Sequence, residues 1–151
     1  MRIVVIDGQG GGIGKLLVEH LRRHIPAEEA EIVALGTNAV ATAVMLKAGA
    51  NDGATGENAV VQTVASADVI VGTLGVIIAH GMMGEITPVM AEAVARSPAP
   101  KVFLHLNRAG VEIIGASTEP LPHLADMLAR QVKTHLDRRQ VALRRTVPGF
   151  A

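Results

Sequence analysis

The residues with the most chemistry to offer stand near the N-terminus, where Ile3-Val4-Val5-Ile6-Asp7-Gly8-Gln9-Gly10-Gly11-Gly12-Ile13-Gly14-Lys15 sets five glycines between a β-branched run and a helical pattern. Without a Cβ, a glycine lets another group come close to the main chain. A strand that turns through such a loop into a helix aims free N–H groups and the positive end of a helix dipole at one point, which suits a phosphate. Asp7, Gly8, Gln9, Gly10, Gly11, Gly12, Ile13 and Gly14 are therefore the first set of candidate cofactor-binding positions. An acid beside a phosphate seat repels it, so Asp7 reads as an acceptor for loop N–H groups or for a ribose hydroxyl. The competing reading has the glycines serving tight packing alone.

Two fingerprints compete for this loop. The triphosphatase loop requires a glycine five residues before the Gly-Lys pair and a hydroxyl after the lysine. Gln9 and Leu16 hold those positions, which removes that reading. The dinucleotide pattern fits better, with Gly8, Gly12 and Gly14 at the Gly-x-x-x-Gly-x-Gly spacing of short-chain dehydrogenases. Its usual companion is an acid at the end of the second strand that holds the ribose. Here Leu35-Gly36-Thr37-Asn38 occupies that place. Thr37 and Asn38 either contact a ribose or 2′-phosphate or cap the next helix. The chain has no tyrosine, so it lacks the phenol that short-chain dehydrogenases use as their acid. The cofactor expectation is NAD(P) or an adenine mononucleotide, with the reaction unassigned.

A second group of polar residues follows later strands. Gly72 and Thr73 open the apolar stretch to Pro88, and both join the candidate cofactor-binding set. Within that stretch, His80 and Glu85 are the acid–base candidates, with Thr87 as a third polar group. The plainer reading makes Glu85 a solvated charge near a helix start and His80 a structural hydrogen-bonder. Asn107 and Arg108 are expected at the end of the fourth strand, where Arg108 is a candidate anion holder. His105 reads as a satisfied core histidine. Thr55 and Asn58, in a glycine-rich loop, are ligand or capping candidates. His20 and His24 share i,i+4 spacing but lack an acidic third ligand, and His123 and His135 are scattered, so no metal site is expected.

Composition bounds the rest. In 151 residues there are two Phe and neither Trp nor Cys, so the core must come from aliphatic residues and methionine, and thiolate chemistry is excluded. Formal net charge is zero, which gives no global field for nucleic acid or anionic membrane. The basic stretch from Arg130 to Arg145 is interrupted by Asp137 and reads as a solvated helix face. No apolar run reaches the length of a membrane span. These features lead to expectations of a cytoplasmic protein, a small-molecule nucleotide ligand, no membrane partner, and no nucleic acid. The apolar loop after Gly72 either covers a ligand or packs against another subunit, which adds an expected homo-oligomer.

The elements that must position these residues alternate between strand and helix patterns, as in a parallel sheet wrapped by helices. Strands are expected at 2–7, 31–35, 68–72, 101–106 and 111–114, and 49–56 reads as a loop. Helices are expected at 13–25, 39–48, up to 65 from a Thr55 cap, and from Thr87-Pro88. Leu121, Leu124, Leu128, Val132 and Leu136 mark a long C-terminal amphipathic helix over 119–145. The expected fold is α/β: a three-layer Rossmann-like domain over 1–151 with about five mostly parallel strands and helices on both faces.

Four segments together carry a resemblance: Ile6 to Gly14, Ala34-Leu35-Gly36-Thr37-Asn38-Ala39, Gly53-Ala54-Thr55-Gly56-Glu57-Asn58-Ala59 and Gly84-Glu85-Ile86-Thr87-Pro88. They resemble an uncharacterised family of short bacterial proteins, a domain of unknown function found mainly in clostridia and their relatives. The resemblance covers roughly residues 1 to 115 and implies a bacterial cytoplasmic protein with a Rossmann-like fold. It implies no activity and no catalytic residues. Alongside the nucleotide-binding expectation stand two alternatives, a ligand-sensing protein and a structural homo-oligomer.

Overall fold

The computed structural model describes residues 1–106, 108 and 110–146. Five parallel strands form one sheet: β1 (Arg2–Asp7), β2 (Glu31–Gly36), β3 (Asp52–Thr55), β4 (Val69–Thr73) and β5 (Lys101–Leu104). Their order across the sheet is β3-β2-β1-β4-β5. The chain moves outward from β1 in one direction as far as β3, then crosses back to β4. The order reverses between β1 and β4, and that reversal opens a crevice at the strand ends where α/β proteins take ligands.

Strand alternation fills two cores. Ile3, Val5, Ile32, Ala34, Val69 and Val71 face one side, while Val4, Ile6, Val33, Leu35 and Ile70 face the other. Against the first side lie α1 (Gly12–His24), α2 (Ala39–Lys47) through Met45, and α5 (Leu121–Thr146). Against the second lie α3 (Glu57–Val64) and α4 (Pro88–Arg96). The result is a three-layer α/β fold of Rossmann type. Both faces of the central strands are covered, which explains their nearly unbroken runs of Val, Ile and Leu.

Two strand expectations exchange places. Residues 111–114 form no strand, and Ile114 is 97 % exposed. The fifth strand is instead β3, within the segment read as a loop, paired Val33↔Asp52 through Gly36↔Thr55. Asp-Gly-Ala-Thr carries little β-propensity. It lies at the sheet edge, where ladder pairing with β2 outweighs local preference. A Cβ on Gly53 would stand 2.8 Å from Thr42 Cγ2, so the small residue lets α2 cross the edge closely.

Helix starts follow their local chemistry. Asn38 Oδ1 accepts the Ala41 N–H at 2.9 Å to cap α2. Thr87 Oγ1 accepts the Met90 N–H at 3.1 Å, with Pro88 in the first turn of α4. Thr55 does not cap α3. Gly56 holds that position with φ 98°, and Thr55 Oγ1 instead bonds Thr42 Oγ1 at 2.7 Å. Strand β5 stops at Leu104, short of the expected Leu106, and Asn107 lies outside the described residues.

Candidate functional site

The glycine loop joins β1 to α1 at the reversal point of the sheet. Gly11 has φ 73°, and a Cβ there would lie 2.8 Å from Ala41 Cα. On Gly8 a Cβ would meet Thr37 Oγ1 at 2.6 Å and Met82 Sδ at 2.8 Å. On Gly14 it would meet Met45 Sδ at 2.5 Å and Asp7 Cβ at 2.8 Å. Packing therefore accounts for these three. Gly10 and Gly12 differ, because a Cβ at either would meet nothing within 4 Å. The fold itself makes no demand for glycine at those two positions.

Asp7 closes the loop from beneath. It is 6 % exposed, and its Oδ1 accepts the Gly8 N–H at 2.8 Å while Oδ2 accepts the Gly14 N–H at 2.6 Å. Burial pushes its carboxyl above the ordinary value, against the lowering effect of those two N–H groups; the Glu85 charge pushes further up and Arg108 pulls down. The Gly11 N–H bonds Gly8 O at 2.9 Å. The N–H groups of Gly10, Gly12 and Ile13 have no acceptor among the described residues. Two donors in the first turn of the 13-residue α1, and that of Gly10 just before its N-cap Gly11, can thus serve an anion.

Glu85 stands on the other side of this loop. Its Oε1 accepts from Thr37 Oγ1 at 2.7 Å and from Asn38 Nδ2 at 2.7 Å, and the Gln9 N–H reaches both carboxylate oxygens at 3.1 Å. Hydrogen bonds from Thr37 and Asn38 hold its carboxyl below the ordinary value. It is neither a merely solvated charge nor poised as a proton donor. Thr37 and Asn38, expected at a ribose, have Glu85 as their partner, and this contact spans 48 residues of sequence.

A cavity of about 490 Å³ opens beside the loop at the β1/β4 crevice. Asp7, Gln9, Ile13, Thr73, His80 and Arg108 from the sequence candidates line it. Gln9 and Ile13 flank the run Gly10–Gly12. The remaining wall is Leu106, beyond β5, and the apolar stretch after β4, which includes Ile78, Met82 and Met83. That stretch begins as a 3₁₀ turn at Leu74–Ile77, anchored by Val76 and Ile86, each 1 % exposed. Between the anchors, His80, Met82 and Met83 all take left-handed backbone angles, φ 65°, 54° and 57°. Each such residue costs on the order of 1 kcal/mol, and conformations of this kind gather at ligand sites. The methionine thioethers can reshape around a ligand.

Gly72 is placed differently. It is buried in β4, and a Cβ would lie 2.8 Å from Ile6 O, so it serves close strand approach and has no place in the cavity wall. Thr55 is engaged with Thr42, as above, and Asn58 stands in α3, outside the cavity wall. His105 is not satisfied as expected, since its buried Nδ1 has no hydrogen-bond partner among the described residues. The sequence also hid an acid near the paired histidines. Asp126 of α5 bonds His24 Nε2 at 2.6 Å, and His20 Nδ1 lies 3.9 Å away. The other Asp126 oxygen pairs with Arg130 Nε at 2.8 Å. Among the described residues no cluster suits a metal ion, and no helix is long and apolar enough to cross a membrane. Much of the basic C-terminal face is ion-paired, Lys133 to Glu29 and Asp137 and Arg139 to Asp68.

Several wall residues carried no signal in the sequence. Met82 and Leu106 look like ordinary core residues, and only the return of the chain over β1 puts Met82 against Gly8. The Glu85–Thr37 contact was equally hidden, because separation along the chain gives no hint of it.

Solved structures with similar folds include a dodecameric FMN-dependent UbiX-like decarboxylase from Escherichia coli O157:H7, at 16% identity over 89% of this chain and 76% of that one, with TM-score 0.44. A second, described as an NAD-dependent epimerase/dehydratase of Bacillus halodurans, is 14% identical over 89% of both chains, with TM-score 0.41. No curated protein matches the chain. A family match runs from Arg2 to Asp137, past the segments that carried the resemblance in sequence and well into α5. The β1 glycine loop, the β4 stretch that covers it and most of the helix behind them thus fall within one match, and the chain belongs to the domain of unknown function family DUF3842.

Proposed function

We propose that this protein binds a nucleotide, NAD(P) or an adenine mononucleotide, with a phosphate seated on the N–H groups of Gly10, Gly12 and Ile13. The observation that carries this reading is the division among the loop glycines. Packing explains Gly8, Gly11 and Gly14, whereas Gly10 and Gly12 face open space beside N–H donors that have no acceptor among the described residues. A ligand that lies against the main chain accounts for that pair. The adjoining cavity, at the crevice where such folds take ligands, offers Arg108 as a counter-charge and His80 as a polar group toward the rest of the molecule. Arg108 also offsets the negative charge of Asp7 beneath the seat.

Thermal unfolding with NAD, NADP, AMP, ATP and FMN tests the proposal. A ligand present at a hundred times its Kd stabilises by about 2.7 kcal/mol, a rise of several degrees in Tm for a chain of this size. Such a rise is expected with at least one adenine nucleotide. Gly12→Val is expected to fold, because a Cβ there has no protein atom within 4 Å and the backbone is not left-handed, and to lose the rise. Absence of any rise at millimolar nucleotide, or its survival in Gly12→Val, would overturn the assignment.

A further inference from the structure

The acid that holds a ribose in dinucleotide-binding folds follows the second strand. This chain has Leu35-Gly36-Thr37-Asn38 there, with no acid. In space, however, a carboxylate does occupy the place. Glu85, carried on the stretch after β4, lies against Thr37 Oγ1 and Asn38 Nδ2, both at 2.7 Å, and against the Gln9 N–H of the glycine loop at 3.1 Å. It bridges the end of β2 to the glycine loop after β1, one residue before Gly10.

We infer that Glu85 accepts the 2′-hydroxyl of an unphosphorylated ribose and excludes a 2′-phosphate. The inference rests on the nucleotide reading above and sharpens it from NAD(P) in general to ligands with a free 2′-hydroxyl. Its acceptor capacity is unequal. Oε1 receives Thr37, Asn38 and Gln9, while Oε2 receives only the Gln9 N–H among the described residues. A carboxylate oxygen has two lone pairs, so Oε2 retains room for a hydroxyl donor. Hydrogen bonds from Thr37 and Asn38 hold the Glu85 carboxyl below the ordinary value, and a charged acceptor binds hydroxyls more strongly than a neutral one.

The same charge repels a 2′-phosphate. Among the described residues no basic side chain forms an ion pair with Glu85 to offset that repulsion. Gln9 gives continuity, because it donates to Glu85 and also lines the cavity. A nucleotide with its 2′-hydroxyl on Glu85 and its phosphate on Gly10, Gly12 and Ile13 would lie along the glycine loop from Gln9 onward.

Calorimetric titration of AMP, 2′-deoxy-AMP and adenosine 2′,5′-bisphosphate into wild type and Glu85→Gln tests this. A hydrogen bond to a charged group corresponds to about tenfold in affinity or more. Wild type is expected to favour AMP by about that factor over each of the other two ligands. In Glu85→Gln both preferences should shrink to about twofold, since the charge is gone while the shape remains. Equal binding of all three ligands to wild type would overturn the inference. So would a Glu85→Gln variant that weakens all three by one factor, the mark of a purely structural role for the contacts with Thr37 and Asn38. Failure of the underlying nucleotide reading looks different. None of the three would then bind wild type at millimolar concentration, or Gly12→Val would bind AMP unchanged, and the ribose assignment would fall with it.

Discussion

Asp7 carries opposing demands at a single residue. Two N–H groups need its oxygens, yet burial disfavours its charge, and the second effect is the larger. The folded carboxyl therefore titrates above its ordinary value of 3.8. Its contribution to stability is fully present below that value and is lost as pH rises through the raised one. Asp7→Asn removes the titration, and the amide leaves one buried N–H without an acceptor, at a cost of about 1–3 kcal/mol. Measured by urea unfolding, the advantage of wild type over Asp7→Asn should be greatest in acid and narrow as pH rises past 3.8. An advantage independent of pH would show that burial does not govern this carboxyl. At this scale the sequence was informative where chemistry is local. Asp7 as an acceptor of loop N–H groups and Asn38 and Thr87 as helix caps all follow from residue type and spacing. The partnership of Glu85 with Thr37 and Asn38 does not, because two loops meet there only after the sheet has formed.

At the scale of elements, periodicity identified what was strongly apolar. β1, β2, β4 and the five α-helices are visible in the pattern, whereas β3 is not, since Asp52-Gly53-Ala54-Thr55 is a strand by virtue of its neighbour. Val111–Ile114 shows the converse: β-branched residues without a partner strand stay irregular. The amphipathic stripe of α5 was legible as well, but not the closeness of its docking. Ala125 and Ala129 are both 0 % exposed and let the helix approach the sheet and α1. Ala129→Leu forces additional carbons into filled space and should destabilise by about 1–3 kcal/mol in chemical denaturation. A cost below about 0.5 kcal/mol, the range of ordinary surface changes, would indicate that α5 sits loosely.

For the whole molecule, the fold class could be read because alternating strand and helix patterns permit few arrangements. The location of the cavity could not, because it depends on strand order. β1 is paired on both sides and buried on both faces, while β3 and β5 are edges. Amide exchange should follow: slowest for Ile3 to Ile6, faster for Asp52 to Thr55 and for Lys101 to Leu104. Comparable protection across all five strands would mean that the sheet opens only as a unit.

The same strand order has a consequence for how the chain is made. β1 leaves the ribosome first and finds its first partner, β2, some thirty residues later, so the glycine loop and the end of β2 meet early. The other flank of β1 stays bare until residues 69–73 emerge, and Glu85 with the cavity wall follows still later. Until then a nascent chain carries β1, apolar from Ile3 to Ile6, with the backbone groups of one edge unpaired, an interval in which a chaperone or a second nascent chain can compete for the place that β4 will fill.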